Sequence, residues 1–165
     1  MKLRTLALML LMVCSSLISQ TPSPHSSFIV FQSATGAVAV VTVQLPAAAA
    51  KGIHFLGAYA TCSGGCNVLQ ELAGPAATAT AFTPLSLTRR GESTVAKAFT
   101  ASNATAVSSP IPGIPVPATV AQSIDLSSIW MPANQSTMQV FTMRTDNAVG
   151  TNAIVIVYEE VSLTN

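Results

Sequence analysis

The amino-acid sequence predicts an all-β fold, an antiparallel β-sandwich of jelly-roll-like type formed by a single domain. From Phe28 onward, short runs rich in Val, Ile, Thr and Phe alternate with Gly, Pro, Ser and Asn. No long stretch has the 3.6-residue period of an amphipathic helix. The chain has 165 residues, 50% hydrophobic and 8% charged, which indicates one folded domain with a neutral surface and excludes disorder over the whole length.

Nine segments have the composition of strands, and turn-forming residues separate them. The predicted strands are residues 28–31, 37–45, 53–61, 67–72, 78–82, 95–100, 120–126, 138–144 and 153–161. Residues 47–50 are predicted to form one helical turn between Pro46 and Gly52. The proline-rich residues 108–119 are predicted to be a long crossover loop in polyproline II conformation, without helix or ladder pairing.

The first 19 residues have the pattern of a secretory signal peptide. Two basic residues precede the uninterrupted apolar run 6–13, and small serines follow it. We predict cleavage after Ser19, or after Ser16, then a flexible segment at 20–27 and the sandwich domain at 28–165. The protein is therefore expected to be secreted and extracellular, or periplasmic or at the cell surface.

Two alternatives to cleavage stay open. Residues 3–18 could anchor the chain in a membrane, although they fall short of the roughly 20 apolar residues of a spanning helix. The run from Leu11 to Cys14 resembles a lipobox, although Val13 stands where a small residue is typical. A membrane is therefore an expected partner only if the leader is retained or Cys14 is lipidated.

The remaining two cysteines, Cys62 and Cys66, are predicted to form a disulfide at a hairpin tip. Two glycines lie between them and permit the tight reversal that brings the Cα atoms to disulfide distance. The alternative is a redox or zinc site, but the spacing is not CxxC, and His25 and His54 lie at no recognisable ligand spacing. No metal ion and no cofactor is expected.

Charge argues against nucleic acid as a partner. The chain has seven Lys and Arg and six Asp and Glu, and loss of Lys2 and Arg4 with the leader leaves a net charge of −1. Phosphate binding requires clustered cations, and the five that remain are scattered.

Several predicted strands are apolar on both faces, which favours self-association. In residues 53–59, simple alternation places Phe55 and Tyr59 on one face and His54 and Leu56 on the other. The last predicted strand is apolar on both sides as well. Because an isolated sandwich should have polar outward faces, a second copy of the chain is the simplest cover.

No catalytic constellation is recognisable. His54 has no activating partner nearby in the sequence, and we interpret it as a capped or interfacial imidazole. An enzyme would require His54 to lie within hydrogen-bond reach of a serine, Asp125 or Asp146. The adjacent Glu159 and Glu160 point apart on a strand and are expected to provide solubility.

Trp130 has two interpretations. It is an anchor of the core or of an interface, or it is a stacking platform for a sugar ring, assisted by Tyr59 or Tyr158. In the second case, residues 108–119 are expected to lie near the site, and a surface glycan would be the partner.

Residues 67–90 and 129–160 contain a proline-bearing turn, an Arg-containing strand and a final strand that ends in paired acids. This layout resembles that of small β-sandwich structural proteins on the surface of phage particles. The resemblance implies a building-block or surface role and transfers no site residue. The leader departs from the pattern of a virion protein assembled in the cytoplasm.

The sequence therefore favours a secreted, non-enzymatic β-sandwich with a structural, self-assembling or surface-coating role. The alternative is an extracellular carbohydrate-binding module.

Overall fold

The computed structural model of the protein describes residues 26–71, 79–88, 92–101 and 113–162. The described residues contain twelve strands and no helix. The strands are β1 (Ser26–Thr35), β2 (Val40–Leu45), β3 (Lys51–Cys62), β4 (Cys66–Glu71), β5 (Thr80–Phe82), β6 (Leu85–Ser86), β7 (Lys97–Ala101), β8 (Ile114–Val116), β9 (Gln122–Asp125), β10 (Trp130–Met131), β11 (Gln139–Thr145) and β12 (Thr151–Ser162).

Two antiparallel sheets pack face to face, which confirms the predicted single-domain β-sandwich. The first sheet has the order β10-β3-β12-β1-β6, and β9 pairs with β3 on the same edge as β10. The second sheet has the order β5-β7-β2-β11-β4-β8. The predicted signal peptide 1–19, Cys14 and His25 lie outside the described residues, while β1 begins at Ser26, so the last two residues of segment 20–27 belong to the sheet.

Alternating apolar side chains of both sheets form the core. On β12, every second residue from Asn152 to Glu160 is buried. Aromatic rings join the layers: the Phe28 and Tyr158 ring centroids lie 5.5 Å apart within the first sheet, and the Phe55 and Phe141 centroids lie 4.7 Å apart across the two sheets. Burial raises the pKa of the Tyr158 hydroxyl, which pairs with the Thr94 hydroxyl at 3.1 Å.

A β-bulge in β3 corrects the predicted faces of that strand. Tyr158 pairs with Phe55, but the preceding Val157 pairs with Gly57, so Leu56 is an extra residue. The insertion shifts the alternation by one residue. Phe55 is therefore fully buried while Tyr59 is 53% exposed, and the prediction that they share a face is wrong.

Each of the nine predicted strands overlaps an observed strand, but the connections differ from expectation. The short strands β6, β8 and β10 are not predicted. β8 pairs with β4, so the expectation that residues 108–119 lack ladder pairing is wrong over Ile114–Val116. Residues 47–50 form a turn rather than a helical turn: Ala48 has a φ of 55° and donates its N–H to the Gln135 carbonyl at 2.8 Å.

The two C-terminal acids point to opposite sides of the first sheet, as predicted, but Glu160 does not contribute to a solvated surface. Its side chain is 0% exposed, and its carboxylate accepts hydrogen bonds from the Thr94 hydroxyl, from the Val95 backbone N–H at 2.5 Å and from Lys51 Nζ at 3.3 Å. These donors replace the water that a buried carboxylate loses. The expectation that Glu160 provides solubility is therefore wrong.

The turn that connects β3 in the first sheet to β4 in the second contains the Cys62 and Cys66 pair at disulfide distance, with Cα atoms 5.9 Å apart. Gly65 has a φ of 72°, a left-handed conformation that favours glycine. The predicted disulfide thus closes a short loop, but this loop connects the two sheets, so the expectation of a hairpin tip is wrong.

We predict that the double variant Cys62→Ala with Cys66→Ala loses about 2 kcal/mol of unfolding free energy, because the short loop removes little entropy from the unfolded chain. Urea denaturation with and without reductant measures this difference. Reductant should destabilise the wild type and leave the double variant unchanged. Equal stability of the wild type with and without reductant would contradict the prediction.

Candidate functional site

Three strands bring Trp130, His54 and Glu159 into one row on the outer face of the first sheet. The β10–β3 register pairs Trp130 with His54, and the β12–β3 register pairs Glu159 with His54. His54 thus lies between an aromatic neighbour and an acidic one, although both are remote in sequence.

The imidazole of His54 has a contact at each ring nitrogen and on one face of the ring. Its Nδ1 lies 2.9 Å from Glu159 Oε1, and its Nε2 lies 2.9 Å from the Ser127 carbonyl oxygen. Its ring stacks on the Trp130 indole with centroids 3.9 Å apart and planes 12° apart. A neutral imidazole has one N–H and can donate to only one of these two acceptors, whereas the imidazolium donates to both.

The pKa of His54 follows this geometry. The hydrogen bond from the ring to the Glu159 carboxylate raises the pKa above the ordinary histidine value. Burial acts in the opposite direction, and the Ser127 carbonyl adds to the rise. Folding therefore shifts His54 toward its charged form.

The turn after β9 positions the Ser127 carbonyl. Asp125 Oδ1 accepts the Ser127 N–H at 2.9 Å, and Ile129 donates its N–H to the Leu126 carbonyl at 2.8 Å. The bond from the Ser127 N–H lowers the pKa of the Asp125 carboxyl. The Asp125 carboxylate therefore fixes the beginning of this turn, and the backbone bond from Ile129, the residue before β10, fixes its end.

A pocket of about 390 Å³ adjoins Trp130 where the chain crosses from β10 in the first sheet to β11 in the second. Its lining residues are Ile129, Trp130, Met131, Met138, Gln139, Val140 and Phe141. Trp130 is 53% exposed. Because His54 covers one face of the indole, only the opposite face is open to a ligand.

The same sheet face also carries an apolar band. We define the apolar band as Ile29, Phe31, Tyr59, Leu85, Val155 and Val157. In the register, Val157 lies between Ile29 and Gly57, and Val155 lies between Phe31 and Tyr59. These side chains are partly or largely exposed. This confirms that the first sheet is apolar on both of its faces.

The outward side of the second sheet is different because polar side chains pair with one another there. The Thr42 and Thr142 hydroxyls are 2.8 Å apart and buried, and Arg144 Nε donates to Glu71 Oε1 at 3.0 Å. The apolar band is therefore a feature of the first sheet.

The structure joins some predicted site residues and separates others. Trp130 and His54 are in contact, whereas Tyr59 lies in the apolar band and Tyr158 is buried in the core. The described part of the proline-rich segment lies at the Cys62 end of β3, where Thr119 donates to the Cys62 carbonyl at 3.1 Å. That is about 25 Å along the strand from His54. The expectation that this segment lies near Trp130 is wrong for its described residues.

Sequence reasoning missed Glu159 and Ser127 as partners of His54. A histidine flanked by apolar strand residues indicates a buried or interfacial ring but does not identify which remote strand supplies its acceptor. The carboxylates proposed for an enzyme have other partners: Asp125 bonds Ser127, and Asp146 bonds the Asn67 backbone at 2.7 Å.

The fold and these surfaces define a β-sandwich with an exposed apolar sheet face and an indole stacked on a hydrogen-bonded imidazole. No protein-family model matches the chain, and no curated protein or solved structure is significantly similar to it. Within the described residues, no group of three or more His, Cys, Asp or Glu side chains is placed to hold a metal ion. No helix in that part of the chain has the length and apolarity of a membrane span.

We predict that the unfolding free energy falls as pH rises above about 6.5, because the pKa of His54 is higher in the folded than in the unfolded chain. Protonation of His54 contributes its full stabilisation below the pKa of the unfolded chain, and this contribution is lost as pH rises through the pKa of the folded protein. Urea denaturation at a series of pH values measures this slope. His54→Gln should remove it, and His25→Gln, which changes the other histidine, is the control. The same slope in wild type and His54→Gln would refute the assignment.

Proposed function

We propose that this protein is a secreted, non-enzymatic β-sandwich that associates with copies of itself in a structural or surface-coating role. The observation that carries the proposal is the apolar band on the first sheet. Secretion is supported by the basic and apolar pattern of residues 1–19. The layout of residues 67–90 and 129–160, which resembles that of phage-particle proteins in the sequence alone, is consistent with a structural role.

The size of the sheet face supports an interface between copies. The strands of this sheet contain 42 residues in all, and each residue covers about 3.3 Å by 4.8 Å of the face. The face therefore offers roughly 670 Å², close to the value of about 800 Å² per partner in a standard interface. A second sheet packed at about 10 Å would cover it.

The distribution of polarity supports the same conclusion. The apolar band occupies the middle of the face, with the His54–Glu159 pair toward one end and the paired hydroxyls of Thr35 and Thr151 at the other. An apolar centre with a polar rim is typical of protein interfaces. Such a patch can face its own copy across a two-fold axis, because each half supplies the same apolar side chains.

We predict that Val155→Lys and Tyr59→Lys each lower the assembled fraction, because either change puts a charge into a desolvated centre and brings two like charges together across the axis. Light scattering and sedimentation equilibrium measure the mass. Val149→Lys is the matched control, since Val149 is 64% exposed in the turn before β12 and outside the band. Far-UV circular dichroism checks that each variant is folded.

Self-association and the location of its interface in the apolar band can be contradicted separately. A wild-type chain that stays monomeric at all concentrations would refute self-association. An assembled wild type whose mass is unchanged by Val155→Lys and by Tyr59→Lys would place the interface elsewhere on the sandwich.

A further inference from the structure

We propose that the open face of Trp130 and the adjoining pocket bind the flat face of a neutral sugar ring. This site does not depend on self-association, because it is lined by residues of β10, β11 and their flanks rather than by the apolar band. Its parts are an aromatic plane held in place, an apolar floor and an uncharged polar edge.

The aromatic plane is organised before any ligand arrives. Trp130 is fixed in the sheet by pairing with His54, and its indole rests on the His54 ring. That ring is held in turn by Glu159 and the Ser127 carbonyl. A side chain that is already ordered loses little conformational entropy when a ligand stacks on it, so even a small contact area yields measurable binding.

The shape of the site suits a ring that stays partly in water. Trp130 and Met138 are each more than half exposed, so the pocket cannot enclose a wholly apolar ligand. A volume of about 390 Å³ lies at the lower end of the range for small-molecule sites, roughly 300–1,000 Å³. A sugar ring has one apolar C–H face to place on the indole and hydroxyl groups that remain hydrated.

The polar edge of the pocket is an amide. Gln139 Nε2 donates to the Pro132 carbonyl at 2.7 Å, which orients the side chain and keeps its Oε1 as a hydrogen-bond acceptor. An oriented acceptor that lines the same pocket as the indole can accept a hydrogen bond from a ring hydroxyl.

The absence of charged residues from the pocket lining disfavours anionic and cationic ligands. None of the pocket-lining residues is charged, so a carboxylate or phosphate has no cationic partner there. A cationic ligand has no acidic partner among these residues either. A neutral ligand meets neither difficulty.

The chain itself supplies the probe, because Trp130 is its single tryptophan. Neutral hexasaccharides of β-1,4-glucose, β-1,4-N-acetylglucosamine and β-1,4-mannose are titrated into the wild-type chain while Trp130 emission and its quenching by acrylamide are recorded. We expect at least one of them to change the emission saturably and to protect Trp130 from acrylamide, with a dissociation constant on the order of 1 mM.

The variants locate the site. In isothermal titration, Trp130→Ala should weaken binding about tenfold or more, because the stacking plane is lost. Tyr59→Ala is the matched control, since Tyr59 is also 53% exposed but lies in the apolar band, and it should leave affinity unchanged. The acrylamide measurement needs no variant and therefore remains decisive if Trp130→Ala fails to fold.

Three outcomes would overturn the proposal. The first is no saturable response to any of the hexasaccharides at about 10 mM. The second is unchanged affinity in Trp130→Ala. The third is protection of Trp130 that increases with protein concentration and not with saccharide, which would mean that a second copy of the chain occupies the pocket.

Discussion

The pairing of β12 with β1 on one side and β3 on the other decides which way every side chain of the first sheet points. A slip of one residue would exchange the buried set of β12 for the exposed set. Buried polar groups oppose such a slip at both ends. Asn152 donates to the Ala37 and Asn147 carbonyls at 2.9 and 2.7 Å, and Glu160 is enclosed by Lys51, Thr94 and the Val95 backbone.

This register generates the two surfaces as well as the core. Because alternate residues of β12 point outward, Val155 and Val157 form the centre of the apolar band, and Glu159 beside them reaches His54. The same strand places Tyr158 against Phe28 inside the sandwich. β1 and β12, the first and last described strands, are neighbours in this sheet. The sheet therefore forms only through contacts between residues far apart in sequence, and such pairing is slow.

Local sequence was sufficient for the long strands but not for the short ones. β2 and β12 are rich in the β-branched residues Val and Ile, which favour strands, so their composition alone identifies them. β8 contains Pro115 and lies in a proline-rich stretch, which made an unpaired segment the reasonable expectation. β6 and β10 have two residues each, too few to produce a period. The bulge at Leu56 has no sequence signature, since it is required by the register with β12 and not by local preference.

The candidate site was predictable only in its parts. Trp130 and His54 could each be singled out as unusual, but their contact depends on β10 returning to the edge of β3, and Glu159 reaches His54 from 105 residues away. The resulting arrangement separates the two proposed binding surfaces. The His54–Glu159 pair lies between Trp130 and the end of the apolar band, and desolvating these hydrogen-bonded polar side chains would be costly. We therefore expect a partner sheet to cover the apolar band without covering the His54–Glu159 pair. The open face of Trp130 would then lie at the margin of the assembly, in contact with solvent.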